Sequence, residues 1–384
     1  MKTIFPTAKF QQLRTPFYYY DTDLLNKTLQ AAQSEADSYG YHLHYAVKAN
    51  ANPRVLAIIR AAGFGADCVS GGEIQAALAA GFAADKIVFA GVGKADWEIN
   101  LGLDKDIFCF NVESIPELQV MDNLAAAKAK TACVALRINP EVDAHTHAHI
   151  TTGKKENKFG INLDQLDSVL DVLDRLKNIK LIGLHFHIGS QLTELEPFQA
   201  LCERVKTLLA DLAKRNLHLE NINFGGGLGI DYDNPNAHPI PDFGSYFKIF
   251  HDNFPVAAGQ QIHFEPGRSI VGQCGSLISK VLYVKEGSVK KFVILDAGFT
   301  ELIRPALYQA SHLIENLDSH EPEETYDVVG PICESSDCFA KDIQLPQTQR
   351  GELIALRSAG AYSEIMASQY NCRQLPMAYF SDLL

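Results

Sequence analysis

Short apolar runs alternate with amphipathic stretches along the first two thirds of the chain. HLHYAV (42–47), ADCVS (66–70), KIVFAG (86–91) and IFCFN (107–111) read as strands, as do TACVALRIN (131–139), LIGLHFHIGS (181–190), INFGGG (222–227) and QIHFEPG (261–267). Between them lie helical patterns: one starts near Pro53, others are GEIQAALAAG and KADWEINLGL, and one opens at Ser114, where Glu117 supplies a capping box. LDQLDSVLDVLDRL and ERVKTLLADLAKR are amphipathic helices further on. Strands separated by helices pair in parallel through right-handed crossovers, and eight such units are what a closed (β/α)8, TIM-like barrel requires. A doubly wound open sheet is the competing arrangement.

Beyond about residue 268 the pattern changes. SLISKVLYVKEG, KKFVILDAG, TYDVVGP and ELIALRSAGAY are strand-like, with turn signals between them and little helix, which predicts a C-terminal all-β domain. TPFYYYD (15–21) is also strand-like and is expected to join that sheet. The expected organisation is an N-terminal segment (1–30) pairing with the β-domain, a barrel (31–267), and the C-terminal β-domain (268–384).

A length of 384 residues suits two or more domains, and 47% hydrophobic residues give a substantial core. The net charge of −12 disfavours nucleic acid and anionic membranes as partners. No apolar run is long enough to span a bilayer, and MKTIFPTAKF is not an export signal, so a cytoplasmic location is expected. Eight scattered cysteines without a C-x-x-C pair read as buried free thiols of a reducing compartment.

In a barrel the chemistry gathers at the C-terminal ends of the strands. Lys48, Asp67, Ser70, Arg137, His185, His187, the Gly225-Gly226-Gly227 run, Glu265 and Arg268 all fall there. Lys48 is either a snorkelling surface lysine or a partly desolvated amine able to attack an aldehyde. NFGGGLG (223–229) could cradle a phosphate, although Ile230 replaces the third glycine of a dinucleotide fingerprint. GVGK (91–94) fails as a P-loop, with Val88 and Ala95 at its key positions. Glu265-Pro266-Gly267-Arg268 reads either as an internal ion pair or as an acid for a ring nitrogen and a base for an anion. His185-Phe186-His187 and the histidines at 145, 147 and 149 invite a metal reading; H-x-H on a strand places both rings on one face. No Glu-x-x-His partner accompanies them, and a ring against a cofactor face accounts for His187 equally well.

YAVKAN (45–50), HFHIGSQ (185–191), FGGGLGI (224–230), EPGRSIV (265–271), RPALY (304–308), GPICESSD (330–337) and AGAYSEIMASQYN (359–371) together resemble the fold-type-III, pyridoxal-phosphate-dependent amino-acid decarboxylases. NPEVDAHTHAHITTG (139–153) and KFGI (158–161) point to the members acting on meso-2,6-diaminopimelate. The resemblance implies a carboxy-lyase of lysine biosynthesis that releases L-lysine and CO2. Lys48 would hold pyridoxal 5'-phosphate as a Schiff base, and His187 would stack on its ring. Ser190 and Gly225, Gly226 and Gly227 would contact the cofactor and its phosphate, and Glu265 would pair with the pyridine nitrogen. Asp67, Pro266, Gly267, Arg268 and Tyr362 complete the implied cofactor set. Arg268, Arg304, Tyr308, Glu334 and Tyr362 would bind substrate; Arg304 and Tyr308 share a face if RPALY is helical. Cys333 would be a proton donor, so it departs from the buried default. The resemblance also implies a homodimer with shared active sites. A decarboxylase for another basic amino acid, a metal-dependent barrel hydrolase and a non-catalytic cofactor binder are the rivals.

Overall fold

The computed structural model describes residues 5–142 and 158–384, so the histidines at 145, 147 and 149 lie outside the described residues, as does most of the 139–153 motif. The chain divides into two compact units, one formed by Leu29–Gly229 and Asp242–Gly267, the other by residues up to Thr28, Ile230–Pro241 and Arg268–Leu384.

β1 (Phe17–Tyr20) precedes the barrel strands β2 (His42–Ala46), β3 (Gly65–Cys68), β4 (Ile87–Phe89) and β5 (Cys109–Val112). These are followed by β6 (Ala132–Arg137), β7 (Ile179–His185), β8 (Asn221–Asn223) and β9 (Gln261–Phe264). β2 to β9 pair in parallel in sequence order, and β9 returns to β2, so the sheet closes. Closure decides against the open-sheet alternative.

Alternation along each strand sorts the barrel's side chains. On β9, Phe264 points outward and packs against Tyr246, Phe247 and Phe250 of the helix Phe243–Asn253. His263 points inward, meeting His44 at 3.0 Å and Asn221 at 3.0 Å. The lumen is polar around these histidines, with Phe108 packed beside both rings, whereas Val88, Cys109, Ala135 and Ile182 form an apolar cluster across β4 to β7; Phe264 belongs to the core between the strands and the surrounding helices. At the helix Ile115–Ala127, Ser114 caps the Glu117 N–H as expected, but the Glu117 carboxylate reaches back to the N–H of Glu113, not to that of Ser114. The amphipathic run after Asn162 begins as a 3-10 turn, Leu163–Gln165, and becomes an α-helix only over Leu166–Leu173.

The second unit contains β10 (Gly275–Glu286), β11 (Lys291–Leu295), β12 (Ile314–Asn316), β13 (Glu323–Val329), β14 (Cys338–Pro346), β15 (Leu353–Leu356) and β16 (Met377–Phe380). Their order is β12-β15-β10-β11-β13-β14, and β1 pairs with both β10 and β16, so the N-terminal strand does join this sheet. Phe10, Phe17, Tyr19, Ile278, Leu353 and Ala355 form a core cluster there. β12, β14 and β16 were not foreseen; β14 carries CFAKDIQLP, whose exposed charged positions mask the strand pattern. The buried default for cysteine fails at Cys372, which is exposed like Cys333, and Cys133 and Cys338 are only partly covered.

Candidate active site

The barrel unit brings its candidate residues to the C-terminal rim. Lys48 lies just past β2, in the 3-10 turn Val47–Ala49, where the chain leaves the sheet and the amine turns back over the barrel mouth. Its Nζ is 3.3 Å from Asp67 Oδ2; the lysine side chain is 38% exposed and the aspartate fully buried. Asp67 Oδ1 has no hydrogen-bond partner among the described residues. Burial pushes the Asp67 carboxyl above its ordinary range, and the Glu265 charge adds to this against the pull of Lys48. The Pro266 carbonyl accepts from the Ala46 N–H at 3.1 Å, tying the end of β9 to the strand that carries Lys48.

Glu265 sits just past β9 and is held on both oxygens. His185 Nε2 approaches Oε2 at 2.9 Å; Oε1 accepts from Asn223 at 2.7 Å and Asn111 at 3.4 Å. Burial alone would raise this carboxyl, but the His185 contact and the Lys48 charge hold it well below the usual carboxylate range. His185 therefore belongs to Glu265. His187 lies two residues beyond the end of β7, so the strand geometry expected of the H-x-H pair does not extend to it. Burial, then Arg137 and Lys48, depress the His187 ring. Arg137 is itself paired with Glu113 at 3.1 Å.

The triple-glycine turn follows β8. A Cβ on Gly225, at φ +71°, would stand 2.2 Å from the Phe186 carbonyl oxygen, and one on Gly226 2.3 Å from that of Glu265. Only glycine permits so close a crossing of backbones. The Gly225 N–H is occupied by Asn223 Oδ1 at 2.8 Å, so it is not one of the expected phosphate donors. The N–H groups of Gly226 and Gly227 donate to no protein acceptor among the described residues. Ser190 is partly exposed and Gly267 buried.

The other unit carries Arg268, Arg304, Tyr308 and Tyr362. Arg304 begins the short helix Arg304–Tyr308, which places Tyr308 on its face as expected. Arg304 is buried, not a surface arginine: its guanidinium lies 4.9 Å from the Tyr232 ring centre and donates to His312 Nε2 at 2.8 Å. Arg268 donates to the Tyr232 hydroxyl at 2.6 Å and lies 4.9 Å from the Tyr362 ring. Burial lowers the Arg304 pKa and the Arg268 charge adds to this; for Arg268, burial is outweighed by Tyr232, Tyr362 and Tyr308. Tyr362 holds a left-handed φ of +55°, rare for a side chain of this size. Cys333 and Glu334 lie on an exposed turn instead, where Asn371 accepts from the Cys333 N–H and Tyr370 donates to Glu334 at 2.8 Å.

Sequence reasoning missed Asn111, Asn223, Tyr232 and His312. Tyr232 follows the glycine turn in a polar segment and could have been suspected; nothing local marks His312.

A family model for pyridoxal-dependent decarboxylases, covering the pyridoxal-binding domain, matches residues 22–272, and the chain belongs to that family. A diaminopimelate decarboxylase from Bacteroides thetaiotaomicron is 65% identical over all of both chains, and one from Neisseria meningitidis serogroup B is 43% identical over 94% of this chain and 86% of its own. The structure of diaminopimelate decarboxylase from Helicobacter pylori, complexed with L-lysine, superposes with a TM-score of 0.92 at 38% identity, covering 97% of this chain and 93% of that one. Within the family the chain falls among the diaminopimelate decarboxylases.

The barrel rim fits pyridoxal phosphate on its own chemistry. It offers a primary amine for the aldehyde, a buried carboxylate for the ring nitrogen, and unengaged N–H groups in a glycine turn for the phosphate.

Proposed function

We propose that the chain converts meso-2,6-diaminopimelate to L-lysine and CO2, with Lys48 and Cys333 as its catalytic groups. Lys48 would hold the cofactor, His187 and Ser190 would flank it, and Gly226 and Gly227 would present N–H groups to its phosphate. Asp67 would orient the Lys48 amine, and Glu265 would keep a proton on the ring nitrogen. Bound there, pyridoxal phosphate supplies a sink for the electrons that departing CO2 leaves behind.

Arg304 is the observation that carries the choice of substrate. It is a buried guanidinium whose partners among the described residues are an imidazole and a phenol, with no carboxylate. A buried cation without an acid is costly unless a ligand supplies the anion. A second carboxylate on the substrate would do so, gripped by Arg304 with Arg268, Tyr308 and Tyr362. A substrate ending in an ammonium alone would bring like charge to two arginines. Glu334 would take the distal ammonium, and Cys333 would donate a proton.

Exposure of the Cys333–Glu334 turn supports a homodimer in which this segment serves the partner's site. Eight free cysteines agree with a cytoplasmic setting, and no helix among the described residues is long and apolar enough to cross a membrane. The test is decarboxylation by the cofactor-reconstituted protein across diaminopimelate, ornithine, arginine and lysine. Turnover of diaminopimelate alone is expected, and Lys48→Ala should abolish it. Equal turnover of ornithine, or wild-type turnover by Lys48→Ala, would overturn the proposal.

A further inference from the structure

We infer that His185 is a positioning residue which, together with Asn223, clamps Glu265 in the one orientation that serves the cofactor's ring nitrogen; this rests on the barrel being the cofactor unit. His185 ends β7, and its backbone is fixed by pairing with Arg137 on β6 and by the Ile138 N–H donating to its carbonyl at 2.9 Å. The ring is buried, with Nε2 on Glu265 Oε2 at 2.9 Å and Nδ1 meeting no acceptor among the described residues. The hydrogen bond His185 makes through its ring is therefore the Nε2–H directed at the carboxylate. Asn223 takes the other oxygen at 2.7 Å with its NH2, while its own carbonyl oxygen accepts the Gly225 N–H at 2.8 Å.

This arrangement has two consequences. A carboxylate pinned on both oxygens cannot rotate, so its remaining acceptor site, on Oε2, faces a fixed direction and holds the charge a protonated heterocycle needs. The Asn223 side chain also spans from that carboxylate to the glycine turn, so the group for the ring nitrogen and the N–H donors for the phosphate are set by one amide. Neither residue needs to touch the reacting bond.

The donor is the testable element. Gln places an amide N–H close to where Nε2 of histidine stands, Phe keeps the ring shape without a donor, and Asn is too short to reach. Wild type, His185→Gln, His185→Phe and His185→Asn would be reconstituted with pyridoxal phosphate carrying 15N in the ring, and the 15N chemical shift read beside kcat and KM. Wild type and His185→Gln are expected to show a protonated ring nitrogen. His185→Phe and His185→Asn should move toward the unprotonated shift, with kcat down about 10- to 100-fold, the worth of one hydrogen bond to a charged group, and KM little changed. If His185→Phe fails to fold, the Gln and Asn pair decides alone. A wild-type 15N shift and kcat in the donor-less variants would overturn the clamp. Failure of the wild type to take up cofactor would instead overturn the reading of the barrel itself.

Discussion

Lowering the pH from 7 to 5 should weaken the arginine-bearing unit through one histidine. His312 is buried, and both ring nitrogens are used by the neutral form: Nδ1–H donates to the Arg357 carbonyl at 2.8 Å and Nε2 accepts from Arg304 at 2.8 Å. A second proton would have to enter at Nε2, facing a guanidinium. Burial first, then the charges of Arg304 and Arg268, push the His312 pKa down to about 3. The unfolded chain, titrating near 6.5, takes up the proton earlier as the pH falls. Stability is thus unaffected above about pH 6.5 and falls by about 1.4 kcal/mol per unit below it, levelling off near pH 3. Between pH 7 and 5 the loss is about 2 kcal/mol. Urea unfolding of wild type and His312→Gln at both pH values isolates this contribution, because glutamine does not titrate. Wild type should lose about 2 kcal/mol more than the variant over this interval. Parallel losses, or an imidazole NMR titration of His312 centred near its ordinary value, would refute the assignment of a locked neutral ring.

Three further outcomes are expected. Arg304→Ala should lower kcat/KM for diaminopimelate by roughly 30- to 5000-fold, the loss of about 2–5 kcal/mol when a desolvated carboxylate loses its partner, and steady-state kinetics reads it directly. Lys94, from the failed P-loop run, is buried against Glu117 at 2.6 Å and the carbonyls of Gly91 and Asn111; Lys94→Met strands a buried carboxylate and should cost about 3–5 kcal/mol in urea unfolding. Gly225→Ala drives a Cβ into the Phe186 carbonyl, so it should lower both the unfolding midpoint and the affinity for pyridoxal phosphate measured by fluorescence quenching.

Local pattern carried much of the architecture. Barrel strands and helices each bury one face, so their periods of two and 3.6 residues are written in neighbouring positions, and Lys48, Asp67 and Glu265 were visible as polar residues where apolar runs stop. β14 escaped because an exposed strand has few apolar positions to mark it. Cys372 escaped because burial is set by packing and not by residue type.

What only the folded chain decided is which polar group meets which. Glu265 draws its donors from 80, 42 and 154 residues away, His185, Asn223 and Asn111 respectively. Arg304 becomes a buried cation because His312 and Tyr232 arrive from other segments to cover it. Secondary structure follows from short-range periodicity, which a sequence displays. A buried charge is set by its solvation and its partners, and barrel closure and the β-domain sheet assemble those from segments that carry no local trace of one another.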